Sequence, residues 1–339
     1  MSSPTSVGWQ PVCPQSLLLQ RARLNARIRD FFAHRGVLEV ETPLLGRSTV
    51  TDPALHPFET IFRLPGQSTG TRLFLQTSPE FAMKRLLAAG SGSIYQLGKA
   101  FRNEESGRCH NPEFTLLEWY RTGFDLAALL DEVEALINVL AADLLVLDPP
   151  ERLTYEAACL RYLGLHPISD SLASFAAFAE ARGLSEAREL CGEDRGVWLD
   201  LLFSYFVQPY LGINRLTSIY RYPAFMPSLA RVSEDDPRWV ERAEVFLAGM
   251  ELGNGFHELA DAQEQARRFD QDLQQRRVAG LPEPEPDGRL LGALEAGLPD
   301  CAGIALGLDR LLMVLTGCDR LDDVLALSLI HISEPTRRT

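Results

Sequence analysis

The chain has 339 residues, with 33 basic against 46 acidic side chains, a formal charge of −13 and 46 % hydrophobic residues. This composition describes a soluble acidic globule with enough chain for about two domains, and it excludes a disordered polymer. It also argues against a dedicated nucleic-acid binder, which needs a basic stripe to displace counterions from phosphates, while leaving room for a local basic pocket.

In chain order, residues 1–15 read as an N-terminal extension, polar, with Pro4, Pro11 and Pro14 and no apolar signal-type core. No apolar run approaches the roughly 18 residues of a membrane span, so the cytoplasm is the expected location. From Ser16 to His34, Leu17, Leu18, Ala22, Leu24, Ile28, Phe31 and Phe32 recur near a 3.6-residue period and Gly36 supplies a stop, which predicts an amphipathic helix. Val37–Glu41 alternates like a strand and runs into Pro43, which cannot donate to a ladder. Short strands are predicted at Phe74–Gln76 and Ser93–Leu97, with a helix over Pro79–Ala89 between them. Helices are predicted over Asp125–Leu147, Leu172–Leu190 and Val197–Val207, and a strand over Leu216–Arg221. The segment LPEPEPDGR at 281–289 alternates proline with acid and reads as an extended solvated connection. Cys13, Cys109, Cys159, Cys191, Cys301 and Cys318 are scattered without a C-x-x-C pair, as reduced residues of a cytosolic protein are. Helix and strand patterns interleave with no internal repeat, so the expected architecture is a single α+β domain.

Three segments carry chemistry. The first is Phe101-Arg102-Asn103-Glu104, a polar loop, and then Phe114-Thr115-Leu116-Leu117-Glu118-Trp119-Tyr120. Read as a hairpin, it puts Arg102 and Glu104 on one face of the first arm, and Phe114, Leu116, Glu118 and Tyr120 on one face of the return arm. Such a hairpin offers a guanidinium for phosphate, an aromatic plate for a base, and an acid with a phenol for a cation. An ordinary charged hairpin is the competing reading. The second segment spaces Glu244, Glu251 and Glu258 by seven. A solvated helix stripe would have this spacing, but Gly253-Asn254-Gly255 is poor helix chemistry, and two strands joined through a Gly-Asn-Gly bend let the acids converge on a pocket. Carboxylates without a thiolate or paired imidazole suit Mg²⁺, and His257-Glu258 lacks the second histidine of a zinc protease because residue 261 is Asp261. The third is Gly303-Ile304-Ala305-Leu306-Gly307-Leu308-Asp309-Arg310 before an apolar helix. Its glycines permit close approach to a strand, and Arg310 opens a helix whose N-terminal end favours anions. Tight strand–helix packing explains the glycines equally well.

Taken together, the helix and strand ending at Pro43, the F-R-x-E hairpin and the G-x-G-x-D-R type helix resemble the three signature motifs of the class II aminoacyl-tRNA synthetases across residues 16 to about 325. TSPE (77–80), RNEE (102–105), HNPEFTLLEWY (110–120) and ELGNGFHEL (251–259) are most similar to the lysyl branch. The first helix begins near Ser16, which leaves no room for an N-terminal anticodon-binding barrel. The chain therefore resembles the truncated lysyl-synthetase paralogues that attach (R)-β-lysine to translation elongation factor P. That resemblance implies an antiparallel sheet flanked by helices over 16–327, ATP and Mg²⁺ as cofactors, a homodimer, and no stable tRNA binding.

By the same resemblance Arg102 and Arg310 are the catalytic pair. Asn103, Glu104, Asn111, Phe114, Leu252 and Gly307 join them around ATP, and Glu244 and Glu251 hold the metal. Ser78, Pro79, Glu80 and Asn254 line the amino-acid site, with Glu118, Tyr120 and Glu258 for the distal ammonium. Ala305 stands where lysyl synthetases usually have glycine, and its methyl would reshape the pocket for a β-amino acid. The end, ALSLIHISEPTRRT, departs from the family, so 328–339, His331 included, are expected to be a non-native tail. Two rivals remain: a free-standing lysyl-tRNA-charging enzyme, and a catalytically silent regulatory paralogue, which predicts eroded ATP residues.

Overall fold

The computed structural model describes residue 11, residues 13–226 and residues 229–327. The expected tail at 328–339, with His331, lies outside the described residues, as does most of 1–15.

The first helix, α1 (Gln15–Ala33), buries Leu24, Ile28, Phe31 and Phe32, the stripe its periodicity predicts. There follow β1 (Leu38–Glu39), β2 (Leu45–Gly46), β3 (Glu59–Phe62), β4 (Thr71–Leu75), α2 (Glu80–Ala88), β5 (Ile94–Phe101), β6 (Glu113–Thr122) and α3 (Leu126–Ala141). The middle of the chain forms β7 (Asp148–Thr154), α4 (Tyr155–Leu163), α5 (Leu172–Glu180), α6 (Ala187–Cys191), α7 (Arg195–Phe206), β8 (Arg215–Pro223), β9 (Trp239–Leu247) and β10 (Met250–His257). The last part is α8 (Ala262–Val278), α9 (Gly288–Gly297), β11 (Cys301–Gly307) and α10 (Leu308–Thr316). Asp125, Thr154, Ser171, Asp194, Asp261 and Asp287 each accept a backbone N–H of the following first turn, which fixes where α3, α4, α5, α7, α8 and α9 begin.

Eight strands form one sheet in the order β1-β5-β6-β11-β10-β9-β8-β7, parallel only at its two edges, β1 with β5 and β7 with β8. A small sheet, β2-β4-β3, stands beside it. The α+β class with an antiparallel centre is as expected. The alternation of β6 divides the molecule: Leu117 and Trp119 enter the core built with α1 and α3, while Tyr120 packs on the opposite face with Met83 and Leu87 of α2. Helices α4 to α7 build a further core over Ile219, Tyr222, Val240 and Phe246.

The structure corrects several boundaries. The strand read over Val37–Glu41 is only β1, so it stops before Pro43 is reached. The helix read over Asp125–Leu147 stops at Ala141, because Leu145 and Val146 have no apolar face to cover and stay exposed. The Leu172–Leu190 helix is two helices, α5 and α6, broken around Gly183, whose φ is 88°. The bend assigned to Gly253-Asn254-Gly255 lies instead at Ala248-Gly249, with φ of 53° and 73°, the left-handed pair that a two-residue hairpin turn requires. Gly253 and Gly255 sit inside β10, where β11 crowds them: a Cβ would come 2.7 Å from the Ala305 carbonyl and 2.8 Å from that of Gly303. The connection read over 281–289 has no regular structure only as far as 287, since α9 begins at Gly288, and α8 tethers it through Arg276 to the Pro282 carbonyl and through Arg277 to Glu283.

Candidate active site

Four elements meet at an acid-rich well. Pro79 precedes α2, and the Ser78 hydroxyl accepts the Glu80 backbone N–H at 3.0 Å, which anchors the helix start. One turn on, Lys84 reaches back to Glu80, with Nζ 2.6 Å from its Oε1. The same ammonium lies 2.6 Å from Oε2 of Glu258, just past β10, and both members of that pair are about 1 % exposed. From β6, the Tyr120 hydroxyl donates to Oε1 of Glu118 and the Ser78 hydroxyl to its Oε2, each at 2.7 Å. Gly303 of β11 makes this packing possible, since a Cβ there would stand 2.3 Å from the Tyr120 ring and 2.9 Å from a Glu258 oxygen.

The electrostatics follow from burying two carboxylates, Glu118 and Glu258, beside one ammonium, with Glu80 at the cavity wall next to them. Burial, reinforced by Glu80, pushes the Glu118 carboxyl up to about 7. Burial also pushes Glu258 up to about 8, with Lys84 opposing and Glu80 adding to the rise. Burial disfavours the Lys84 charge, but Glu258 and Glu80 outweigh it and hold the ammonium protonated above its ordinary value.

Beyond the well, a cleft of about 150 Å³ is lined by Arg102, Asn111, Phe114, Glu251, Leu252, Gly307 and Arg310 among others. The Arg102 guanidinium lies 5.1 Å from the Phe114 ring centroid, 3.4 Å from Glu105, and its Nε is buried without a protein partner. Oδ1 of Asn111 is open in the same way. Arg310 donates to the carbonyls of Cys109 and Glu251 and meets Nε2 of His110 at 2.6 Å. Burial and the Arg310 charge push His110 below its ordinary value, so the ring stays a neutral acceptor. Asp309 fixes this helix start by pairing with Arg21 of α1 and accepting the Thr115 backbone N–H of β6, each at 2.7 Å.

Arg102 and Glu104 do not share a strand face: β5 ends at Phe101, and Glu104 stands in a turn at φ 67°. Its side chain is 69 % exposed and 3.9 Å from His56, while Glu105 takes the lining position in the cleft. Asn103 is also exposed and uses its amide oxygen on the Glu104 N–H.

The three acids of the seven-residue series do not converge. Glu258 belongs to the well, whereas Glu251 faces the cleft and Glu244 lies behind it, bonded to the Tyr222 hydroxyl at 2.7 Å and to Arg242 at 2.6 Å. Burial first and then Glu244 push Glu251 up to about 7, against Arg310, Arg242 and Arg102. A buried carboxylate repelled by its neighbour is an oxygen donor short of a cation, which suits a hard ion that takes its other ligands from phosphate and water. Among the described residues no three acidic, histidine or cysteine groups are placed to hold a metal by themselves.

Arg102, Asn254 and Ala305 line both this cleft and a cavity of about 980 Å³ that also receives Ser78, Glu80 and Arg242 and opens along α8 past Phe225 and Met226. The arrangement puts guanidinium groups on one side, and on the other Glu80 at the cavity wall with Glu118 and Glu258 buried behind it. Sequence reasoning misses Lys84, Arg242, Glu105 and His110. The four-residue spacing of Glu80 and Lys84 on a helix, and the two-residue spacing of Arg242 and Glu244 on a strand, are the signals that find two of them.

Comparison with known proteins places this geometry. A family model described as tRNA synthetases class II (D, K and N) matches residues 13–330. A Yersinia enterocolitica protein named elongation factor P--(R)-beta-lysine ligase is 50% identical over 321 residues, 95% of this chain and 97% of that protein. Proteins of the same name from Proteus mirabilis and Photorhabdus laumondii are 50% and 49% identical, over 94% and 96% of this chain and 96% and 98% of theirs.

Proposed function

Because this chain belongs to the class II tRNA synthetases (D, K and N), and within them to the branch of the elongation factor P (R)-β-lysine ligases, we propose that it activates (R)-β-lysine with ATP and transfers it to a lysine side chain of elongation factor P. The observation that carries this reading is the division of charge across Asn254 and Ala305. Arg102, Arg242 and Arg310 stand on one side, and the Glu118–Glu258–Glu80 well stands on the other. A substrate with one carboxylate and two ammonium groups matches that division end to end.

In this reading the nucleotide occupies the cleft, its base on Phe114 and its phosphates toward Arg102 and Arg310. Arg102 and Asn254 turn the amino-acid carboxylate toward the α-phosphorus, and the well holds the distal ammonium. The carboxylate attacks in line, its new bond to phosphorus forming as the bond to pyrophosphate breaks. A carboxylate is already ionised, so positioning and charge stabilisation carry the step without a general base. Magnesium held by Glu251, with Glu244 behind it, would supply charge neutralisation on the phosphates. The acceptor lysine amine then enters along the open side of the larger cavity, attacks the mixed anhydride at its carbonyl carbon, and expels AMP. The formal charge of −13 supports the absence of a stable tRNA complex, and the exposed Leu38, Leu45, Ile61 and Phe62 support a homodimer through the first motif. Among the described residues no helix is long and apolar enough to cross a membrane, and an ATP-dependent step on a translation factor belongs in the cytoplasm.

The test is a competition with ATP, labelled (R)-β-lysine or L-lysine, elongation factor P and tRNA in one mixture. Label on the factor is expected; label on tRNA in preference to the factor overturns the reading. Arg102→Ala, which removes the guanidinium shared by both cavities, is expected to lower amino-acid-dependent ATP–pyrophosphate exchange by about 10²-fold or more. Near wild-type exchange would mean that the hairpin is misassigned.

A further inference from the structure

The ligase reading uses every acid of the well but gives no work to its one cation. Lys84 is among the most completely buried side chains of the protein, and its ammonium is 2.6 Å from both Glu80 and Glu258. Its neighbours along α2, Met83 and Leu87, are ordinary core residues, and a methionine at 84 would serve packing as well. A buried ion pair is weak support for stability, because desolvation offsets most of the attraction. The charge at this position therefore calls for another reason.

We propose that Lys84 is a positioning residue for the amino-acid substrate: a resident ammonium that bridges Glu80 and Glu258, favours the ionised forms of the buried acids, and sets the charge of the fully ionised well at the level that two substrate ammonium groups balance. This inference rests on the ligase reading for the identity of the substrate. Among the described residues, the titratable groups that act on Lys84 are Glu80 from its own helix, Glu118 from β6, Glu258 after β10 and Cys301 from β11, with Tyr120 bonded to Glu118. With the three carboxylates ionised, one ammonium leaves an excess of two negative charges. Without it, Glu118 and Glu258 lie buried beside Glu80 with no cation, which pushes them further toward the protonated form, and a neutral acid cannot pair with an incoming ammonium. Lys84 also ties the start of α2 to the end of β10, so the two acids that receive the substrate keep a fixed spacing.

The test uses Lys84→Met, which keeps the stem and removes the charge. ATP–pyrophosphate exchange with (R)-β-lysine is measured from pH 6 to 10, beside a melting curve. The loss is expected in KM for the amino acid, about tenfold or more at pH 7, and the midpoint of its pH dependence moves up by about one unit or more, so that much of the loss disappears by pH 9. KM for ATP is expected to stay unchanged. A folded Lys84→Met with wild-type amino-acid KM and pH midpoint overturns the proposal, and so does a loss carried by kcat alone. If that variant does not fold, Lys84→Ala is assayed with added propylammonium or propanol: restoration by the ammonium alone supports the proposal, and equal restoration by the alcohol overturns it. A wild type without exchange on either lysine isomer defeats the ligase reading instead. Calorimetry with 1,5-diaminopentane, comparing wild type and Lys84→Met across the same pH range, then still decides the role of Lys84.

Discussion

Gly303→Ala separates a steric account of the well from a merely local one. Gly303 pairs with Tyr120 across the β11–β6 ladder and with Phe256 across β10, so neither its backbone nor its neighbours' can retreat. The new methyl would sit 2.3 and 2.4 Å from two ring carbons of Tyr120 and 2.9 Å from a Glu258 oxygen. The ring is 3 % exposed in the cluster with Met83, Leu87 and Ile94, so it moves only by disturbing that core. Overpacking of this kind costs about 1–3 kcal/mol, and breaking the Tyr120–Glu118 hydrogen bond adds about 1.5–3 kcal/mol for a bond to a charged group. At about 2 °C per kcal/mol for a chain of this size, the midpoint of melting should fall by about 5–12 °C. Losing the phenol that orients Glu118 should raise KM for (R)-β-lysine by about tenfold or more, measured by pyrophosphate exchange at a temperature well below the melt. Gly307→Ala is the control: its Cβ meets nothing closer than 3.6 Å, so melting should stay in place while KM for ATP rises. A Gly303→Ala protein that melts within about 2 °C of wild type and binds (R)-β-lysine normally would refute the argument.

Three other outcomes follow from the charges. Glu118 and Glu258 sit at about 7 and about 8, so below those values they hold protons that a diammonium substrate must displace. KM for (R)-β-lysine should therefore fall by about tenfold per pH unit for each proton displaced between pH 6 and 8 and then level off; a flat profile across that range refutes it. Glu251 at about 7 is protonated more readily folded than unfolded, so the cost of ionising it builds as pH rises from 4.5 to 7. Glu251→Gln should consequently melt higher than wild type at pH 8, by up to about 3 kcal/mol, match it near pH 4.5, and need more Mg²⁺ for half-maximal exchange; equal melting at both pH values speaks against it. Ala305 lies between Glu118 and Asn254 in the ladders, and its side chain lines both cavities. Ala305→Gly should lower the preference for (R)-β-lysine over L-lysine by about tenfold, the worth of a methyl in a fitted pocket, and an unchanged ratio would remove Ala305 from specificity.

The alternation of β6 is legible in the sequence because a strand buried on both faces still sends its polar groups to one side. Glu118 and Tyr120 on one face, against Leu117 and Trp119 on the other, can be read without coordinates. Asp309-Arg310 at the start of α10 is legible for a similar reason, since glycine before a helix and an acid in its first turn are local chemistry. Gly253-Asn254-Gly255 misleads, because glycine permits a turn and also permits close approach of a neighbouring strand, and only the presence of β11 decides between them. At about 3.3 Å per residue, a seven-residue step along one unbroken strand also carries Glu258 far from Glu251, which the bend reading hid. Lys84 is hidden by its type. A lysine on a helix belongs by default to the solvated face, and its burial becomes visible only when Glu258 arrives from a strand more than 170 residues away in the chain.

The placement of titratable groups also decides which kinetic constant responds to pH. In the cleft the attacking group is a carboxylate, ionised throughout the working range, and the imidazole that lines it, His110, is held neutral against Arg310. The cleft group that does titrate there, Glu251 at about 7, lies on the metal side, and with Mg²⁺ saturating it is held ionised, so no proton has to move for the anhydride to form. The groups pushed toward neutrality at the far end of the amino acid, Glu118 and Glu258 in the well, face an ammonium that takes no part in bond making. Protonation there weakens ground state and transition state alike, because the distal ammonium keeps its place as the carboxylate reacts. The pH dependence of activation should thus reside in KM for the amino acid, with kcat flat from pH 6 to 8. A kcat that titrated with the same midpoint at saturating Mg²⁺ would move the proton-sensitive group from the well to the reacting end, where Glu251 is the group placed to titrate.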